Sequence, residues 1–446
     1  MVAQVRSMDP KTALAIETTA PSPVDGRLPI EGTLPEGLDG CFLQAGPHPL
    51  VAAATSGSLA AGPHVFSGIR LSAEGARWYR AKTPVRRSEP LGPIPALAPA
   101  LWPAGPHTDG HDGLDGLDGL DGPGLAAFAR PVREAGGFRW HTVATYPGLD
   151  YAEHLIANAE GRVVHASVIA LPGAPLMYAT AITHRYVVVL DLPVVYSRAA
   201  DLIGARLPYT WRPDRPARVG LLPRAAGAAA EPRWLPIDPC YVIDVVNAYD
   251  DGDRVIMDAV WQARAFTGSP GSPGSSGSAA APRVCRWTLD PAAGAVRVQA
   301  LPSTLEAGTV DGRVSGRRHR HVFGTVAGGG ALACHDLAEG TTRLAASGPG
   351  WRVGPPVFAP DERRTEEGAG WLVVIARHAG RRSCELRVID ALDPAGPPRA
   401  VIRLPVVLPA DRRTAWIPGL PAAPPTDTAV RPAVAADLRR ALPAAE

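Results

Sequence analysis

The chain has 446 residues and balances 45 Lys and Arg against 43 Asp and Glu, a formal net charge of +2. That length suits one large all-β domain or two or three ordinary ones, and the near-neutral charge argues against nucleic acid as a partner. Five scattered cysteines (Cys41, Cys240, Cys285, Cys334, Cys384) form no C-x-x-C pair. They argue against a disulfide framework or a zinc knuckle and read as buried free thiols. The opening residues lack a charged segment followed by an apolar one, and no uncharged apolar run reaches 18 residues. A soluble, cytoplasmic protein without a transmembrane segment is the expectation.

In chain order, residues 1–27 read as a flexible polar arm. Leu28–Pro49 repeats Gly and Pro around short apolar pieces, a turn-rich β entry. His64–Gly68 with Ile69–Leu71, followed by Ala76–Arg80, reads as a hairpin. Residues 88–126 are Pro-rich and then repeat Gly-Leu-Asp, which forms no regular element. The Asp series there lacks the order of an EF-hand loop, so 105–124 reads as a low-complexity loop. Leu149–Pro172 gives a strand, a turn at Gly161 and a second strand. Pro175–Ser197 contains the clearest strand of the chain, Tyr186–Asp191, rich in β-branched residues and ended by Pro193. Residues 267–282 form a second Gly/Ser/Pro loop, and Val284–Asp290 resumes strand character. His319 and His321 are expected to share one face of a strand. After residue 418 comes a tail with a short helix over Val434–Leu442. No G-x-S-x-G, Walker loop or dinucleotide fingerprint is present, so hydrolase, kinase and dehydrogenase readings have no support.

The order of the blocks says more. Pro175–Ser197 (PLMYATAITHRYVVVLDLPVVYS) and Leu207–Tyr249, with Trp211, Arg218, Gly220, Pro223, Trp234, Cys240, Tyr241 and Asn247, resemble blocks of the carotenoid cleavage oxygenases. Gly32, Pro35, Gly40 and Pro47, then Phe128–Pro131, Val353–Asp390 and Arg403–Trp416, extend the resemblance over 28–418 in the right order. It implies one domain, a seven-bladed β-propeller with short helices and loops capping one face. Residues 88–126 are short for a full blade, so one blade is expected to be eroded. The family splits a double bond of a carotenoid, apocarotenoid or stilbene-type compound with O2 at an Fe(II) ion held by four histidines on the propeller axis.

At those four positions this chain carries Arg130, Tyr178, Asp244 and Arg413. Supporting carboxylate positions correspond to Glu306 and Pro355. Arginine has no lone pair to give a metal. Arg130 and Arg413 are expected to pair with Asp244, the Tyr178 hydroxyl closing the network. The resemblance therefore implies a propeller that binds an apolar small molecule, with peripheral membrane contact, but holds no iron. Two alternatives stand beside it. One is an active dioxygenase with a site rebuilt from other histidines, such as His141, His154, His165 and His184. The other is a decaying homologue without stable function.

Overall fold

The computed structural model describes residues 26–47, 65–82 and, with short breaks of which 266–281 is the longest, 127–418. The expected loop 105–124, the tail after 418 and its helix lie outside these residues. So does nearly all of the loop 267–282.

The described residues form antiparallel sheets with little helix: one five-residue helix, Arg198–Leu202, and two 3-10 turns, Gly312–Val314 and Ala327–Gly329. Six sheets carry four or more strands each, and a two-stranded ribbon joins Val194–Tyr196 to Tyr209–Trp211. The architecture is a β-propeller, all-β as expected. The stretch between Lys82 and Ala127, where an eroded blade was expected, is outside the described residues.

One sheet closes the ring. The early strand Gly40–Pro47 pairs on one side with Val65–Ser72 and on the other with the last described strand, Arg412–Pro418. Joining an early strand to a late one removes edges that would otherwise stand open to pairing. The expected hairpin is present, Val65–Ser72 against Gly75–Lys82, with Ser72 opposite Gly75. The sheet also gains Gly26–Arg27, which pairs with Trp78 and Arg77, so these two residues of the expected arm are strand.

The strand Tyr186–Asp191 pairs residue for residue with Ala217–Pro223, from Tyr186 opposite Pro223 to Asp191 opposite Arg218. Val187, Val188 and Val189 are all fully buried, because neighbouring sheets cover both faces. Asp191 at its end is buried as well. Its two oxygens accept from Arg215 and Arg218, each at 2.8 Å. These bonds explain a buried carboxylate at the rim of an apolar strand. Between the sheets lie apolar clusters. One joins Val188, Leu190, Val219 and Leu221 to Tyr241, Met257 and Trp287, and another joins Phe42, Ile69 and Trp78 to Val373 and Leu386.

All five cysteines are buried free thiols. Burial pushes the Cys240 thiol up to about 12 and the Cys334 thiol up to about 11, so neither is a thiolate at neutral pH.

Candidate functional site

Arg130 lies between two short strands, Ala127–Phe128 and Val132–Arg133, which both pair with Trp140–Thr145. Its backbone bridges in parallel to Ala179, and its N–H donates to the Tyr178 carbonyl at 2.7 Å. Its guanidinium donates through Nη1 to Asp244 Oδ2 at 2.5 Å and through Nη2 to the Thr414 carbonyl at 3.1 Å. Residues 114 and 284 positions away in sequence thus meet on one side chain.

A bulge aims Asp244. Val242 lies opposite Trp261 and Asp244 opposite Val260, so Ile243 is the extra residue on its strand, Tyr241–Asp251. Such an insertion bends a strand and redirects the side chain beside it. The other Asp244 oxygen accepts from the Val245 N–H at 2.9 Å. Tyr178 is buried in the apolar cluster described above. Arg413 lies on the closing strand opposite Ala45, next to the Thr414 carbonyl that Arg130 reaches; its side chain is outside the described residues.

The charge of Asp244 raises the Arg130 pKa above its ordinary value against the cost of burial, and their hydrogen bond adds to the effect. Both side chains keep some access to water, 32% and 22%, so the pair is wetted and a change there costs less than in a dry core. Asp244→Asn is expected to lower stability by about 1–3 kcal/mol, because Arg130 keeps its place and loses its counter-charge. Urea unfolding at unchanged m-value measures it. No shift of the midpoint would mean that the pair is incidental.

The two expected supporting positions lie in different surroundings. Glu306 accepts from the Gly328 N–H at 2.9 Å and so ties down the turn Ala327–Gly329. Pro355 sits half-buried between Trp351–Val353 and Val357–Pro360. The expected pairing of His319 with His321 on a strand face is corrected. The strand starts only at His321, which stacks on Phe323. His319 precedes it, buried, with Nε2 at 2.9 Å from Asp258 and Nδ1 at 3.1 Å from the Asn247 amide nitrogen. Among the described residues no three His, Cys, Asp or Glu side chains stand in position to hold a metal ion.

A second polar cluster lies away from Arg130, in a cavity of about 390 Å³ lined by His141, His154, His165, His184, Glu134 and Arg224 among others. His141, His154 and His165 come from three consecutive strands of one sheet, Trp140–Thr145, Tyr151–Ala157 and Val163–Ala170. Both His141 and His165 lie opposite Ile156, two residues from His154, so all three share one face. His184 and Arg224 lie in bends at the neighbouring sheet, His184 just before Tyr186–Asp191 and Arg224 just after Ala217–Pro223. His141 sets its Nε2 at 2.8 Å from Glu134 and its Nδ1 at 3.0 Å from His154 Nε2. The far His154 nitrogen is 3.4 Å from Ser167 Oγ. Arg224 forms an ion pair with Glu134 and donates to the Thr183 carbonyl at 2.7 Å.

Sheets closed by the pairing of Gly40–Pro47 with Arg412–Pro418, with distant segments meeting on Arg130, define a β-propeller protein. The chain belongs to the family of the retinal pigment epithelial membrane protein and the carotenoid oxygenases, whose family model matches residues 125–418. It is 26% identical to the carotenoid cleavage oxygenase of Mycobacterium tuberculosis (strain H37Rv), covering 88% of this chain and 94% of that protein. It is also 26% identical to the apocarotenoid-15,15'-oxygenase of Synechocystis, over 58% of this chain and 55% of that one. The solved lignostilbene dioxygenase of Pseudomonas brassicacearum superposes with a TM-score of 0.69 at 19% identity, covering 90% of this chain and 97% of that one.

Proposed function

We propose that this protein keeps the propeller frame of the carotenoid cleavage oxygenases and lacks their iron chemistry. The observation that carries the reading is the Arg130–Asp244 ion pair, with Arg130 also bound to the Thr414 carbonyl. Iron of this family needs lone pairs, and neutral imidazoles provide them. Arg130 provides none and stays protonated, while Asp244 spends its oxygens on Arg130 and on the Val245 N–H. Tyr178 and Arg413 complete the family's four positions. These residues do not fit Fe(II), so no step of a cleavage reaction is assigned to them.

What remains is the capacity to bind. The relatives named above act on carotenoids, apocarotenoids and a stilbene. An apolar small molecule of the carotenoid or apocarotenoid class is the ligand this reading assigns. No helix among the described residues is long and apolar enough to cross a membrane. Leu202 and Ile203, both largely exposed at the end of the helix Arg198–Leu202, favour peripheral membrane contact as the route of such a ligand. Five free buried cysteines agree with a reducing compartment, and we assign the cytoplasm.

The test is incubation of the Fe(II)-supplemented protein with an apocarotenoid and a stilbene under air. The reading expects a saturable change in ligand absorbance and no aldehyde product. Sustained turnover would overturn it.

One observation favours a second reading, an active dioxygenase with a rebuilt site: His141, His154, His165 and His184 line one cavity. The first three stand one, two and three strands out from Ala127–Phe128, the strand that leads into Arg130. They are lateral, between two neighbouring sheets, and we give the first reading precedence for that reason.

A further inference from the structure

We propose that the lateral cavity between the sheet of Trp140–Thr145, Tyr151–Ala157 and Val163–Ala170 and the sheet of Tyr186–Asp191 and Ala217–Pro223 is a binding site for a late first-row divalent cation, of the Zn(II) or Co(II) type, with His141 and His154 as ligands and His165 completing the set. This goes beyond the reading of the Arg130–Asp244 pair and is independent of it.

The first argument is the donor set. Four imidazoles face one cavity of about 390 Å³, and imidazole suits zinc, copper, nickel and iron alike. The shared face of three adjacent strands holds His141, His154 and His165 side by side. A rigid sheet holds ligands more closely than a loop does.

The second argument is how His141 is held. Its Nε2 lies 2.8 Å from Glu134 Oε1, and Glu134 is fixed in turn by Arg224. A carboxylate on one ring nitrogen keeps that nitrogen protonated and turns the lone pair of the other outward. This is the usual backing of a metal-bound histidine. Here the free lone pair is on Nδ1, which points at His154 Nε2 at 3.0 Å. His154 in turn has Ser167 Oγ at 3.4 Å from its Nδ1, a partner able to accept that N–H once Nε2 binds a cation.

Without a cation, a proton shared between His141 and His154 fills the same place, as the 3.0 Å contact describes. Two nitrogens on a tetrahedral cation at about 2.0–2.1 Å stand about 3.3 Å apart, so the pair must swivel rather than move apart. No three ligands are already in place among the described residues. Closure therefore falls to His165, half-buried, whose ring centre is 6.4 Å from that of His154. His184, exposed at the edge of the same cavity, or water fills the fourth position. Arg224 opposes a dication, and Glu134 offsets it.

The experiment uses the untagged full chain, stripped with EDTA and desalted. Co(II) is titrated by its visible absorption and Zn(II) by calorimetry. We expect one equivalent per chain, saturating at micromolar metal, with the intense visible bands of a four-coordinate Co(II) centre. His154→Ala should weaken binding at least tenfold, and Glu134→Gln about 10–100-fold. Urea unfolding checks each variant. Should His154→Ala not fold, protection of the wild type settles the matter. Zn(II) should then slow modification of His165 by diethyl pyrocarbonate at least tenfold, located by peptide mapping. Absence of saturable 1:1 binding, or binding without that protection, overturns the proposal. So does binding that survives in a folded His141→Ala/His154→Ala variant. None of these outcomes touches the reading of Arg130 and Asp244, which is tested by iron retained in that same double variant.

Discussion

Asp258→Ala is expected to lower stability by about 3–5 kcal/mol. Asp258 is fully buried on the strand Arg254–Gln262. It accepts two bonds from Arg286, at 2.8 and 2.7 Å, and one contact from His319 at 2.9 Å. Burial pushes its carboxyl up, but the bonds from Arg286 and His319 outweigh this and hold it below the usual carboxylate range. Without the carboxylate a guanidinium is left in the sheet without its counter-charge, and His319 keeps only Asn247. Urea unfolding of the two proteins measures the difference. A loss under about 1 kcal/mol would mean that water replaces the carboxylate at little cost.

The second large effect is acid lability in a defined window. Burial, then the charges of His141, His165 and Arg224, hold the His154 pKa down to about 3. In an unfolded chain it returns to about 6.5. Between these values the unfolded state binds a proton that the folded state refuses, so stability rises with pH there. The contribution is complete above about pH 6.5 and is lost as pH falls toward 3. From pH 6.5 to 4.5 the loss is about 2 kcal/mol from this residue. His141, also lowered by burial, adds to it with the same sign. The depressed carboxylates Asp258 and Asp336 act the same way at lower pH, so the upper window belongs to histidine. Measured with EDTA present, stability should slope with pH across 4.5–6.5, and the slope should fall in His154→Gln. A flat wild-type curve there would mean that His154 is hydrated and titrates normally.

Much of the frame was legible in the residues, and particular features show why. Tyr186–Asp191 could be placed because β-branched residues fill it and Pro193 ends it. The hairpin after His64 could be placed because two apolar runs flank a short turn. The family was legible because its blocks keep their order along the chain. The Arg130–Asp244 contact was expected only through that resemblance, since no local pattern links residues 114 apart. The bulge at Ile243, which aims Asp244, left no mark in composition.

The two densest polar networks were less legible. Asp258 stands in an apolar run, VIMDAVW, and a buried acid in such a run signals a partner. Naming Arg286 as that partner needed the register that sets the two opposite each other. The four lateral histidines were visible as residues, but not as neighbours. His141, His154 and His165 meet only because successive strands set them on diagonals of one face, and a slip of one residue would send one of them to the other side. His319 and His321 failed in the opposite way. Their spacing suited a strand face, but the strand begins at the second of them.

The central claim, a family frame without the family's iron, is tested most directly by iron content. Untagged protein shown to unfold cooperatively is prepared anaerobically with Fe(II), desalted and analysed, as wild type and as His141→Ala/His154→Ala. The double variant removes the lateral cavity as a place for metal. The account predicts iron near zero in that variant. About one iron per chain retained there would place a functioning metal centre elsewhere in the propeller and contradict the account.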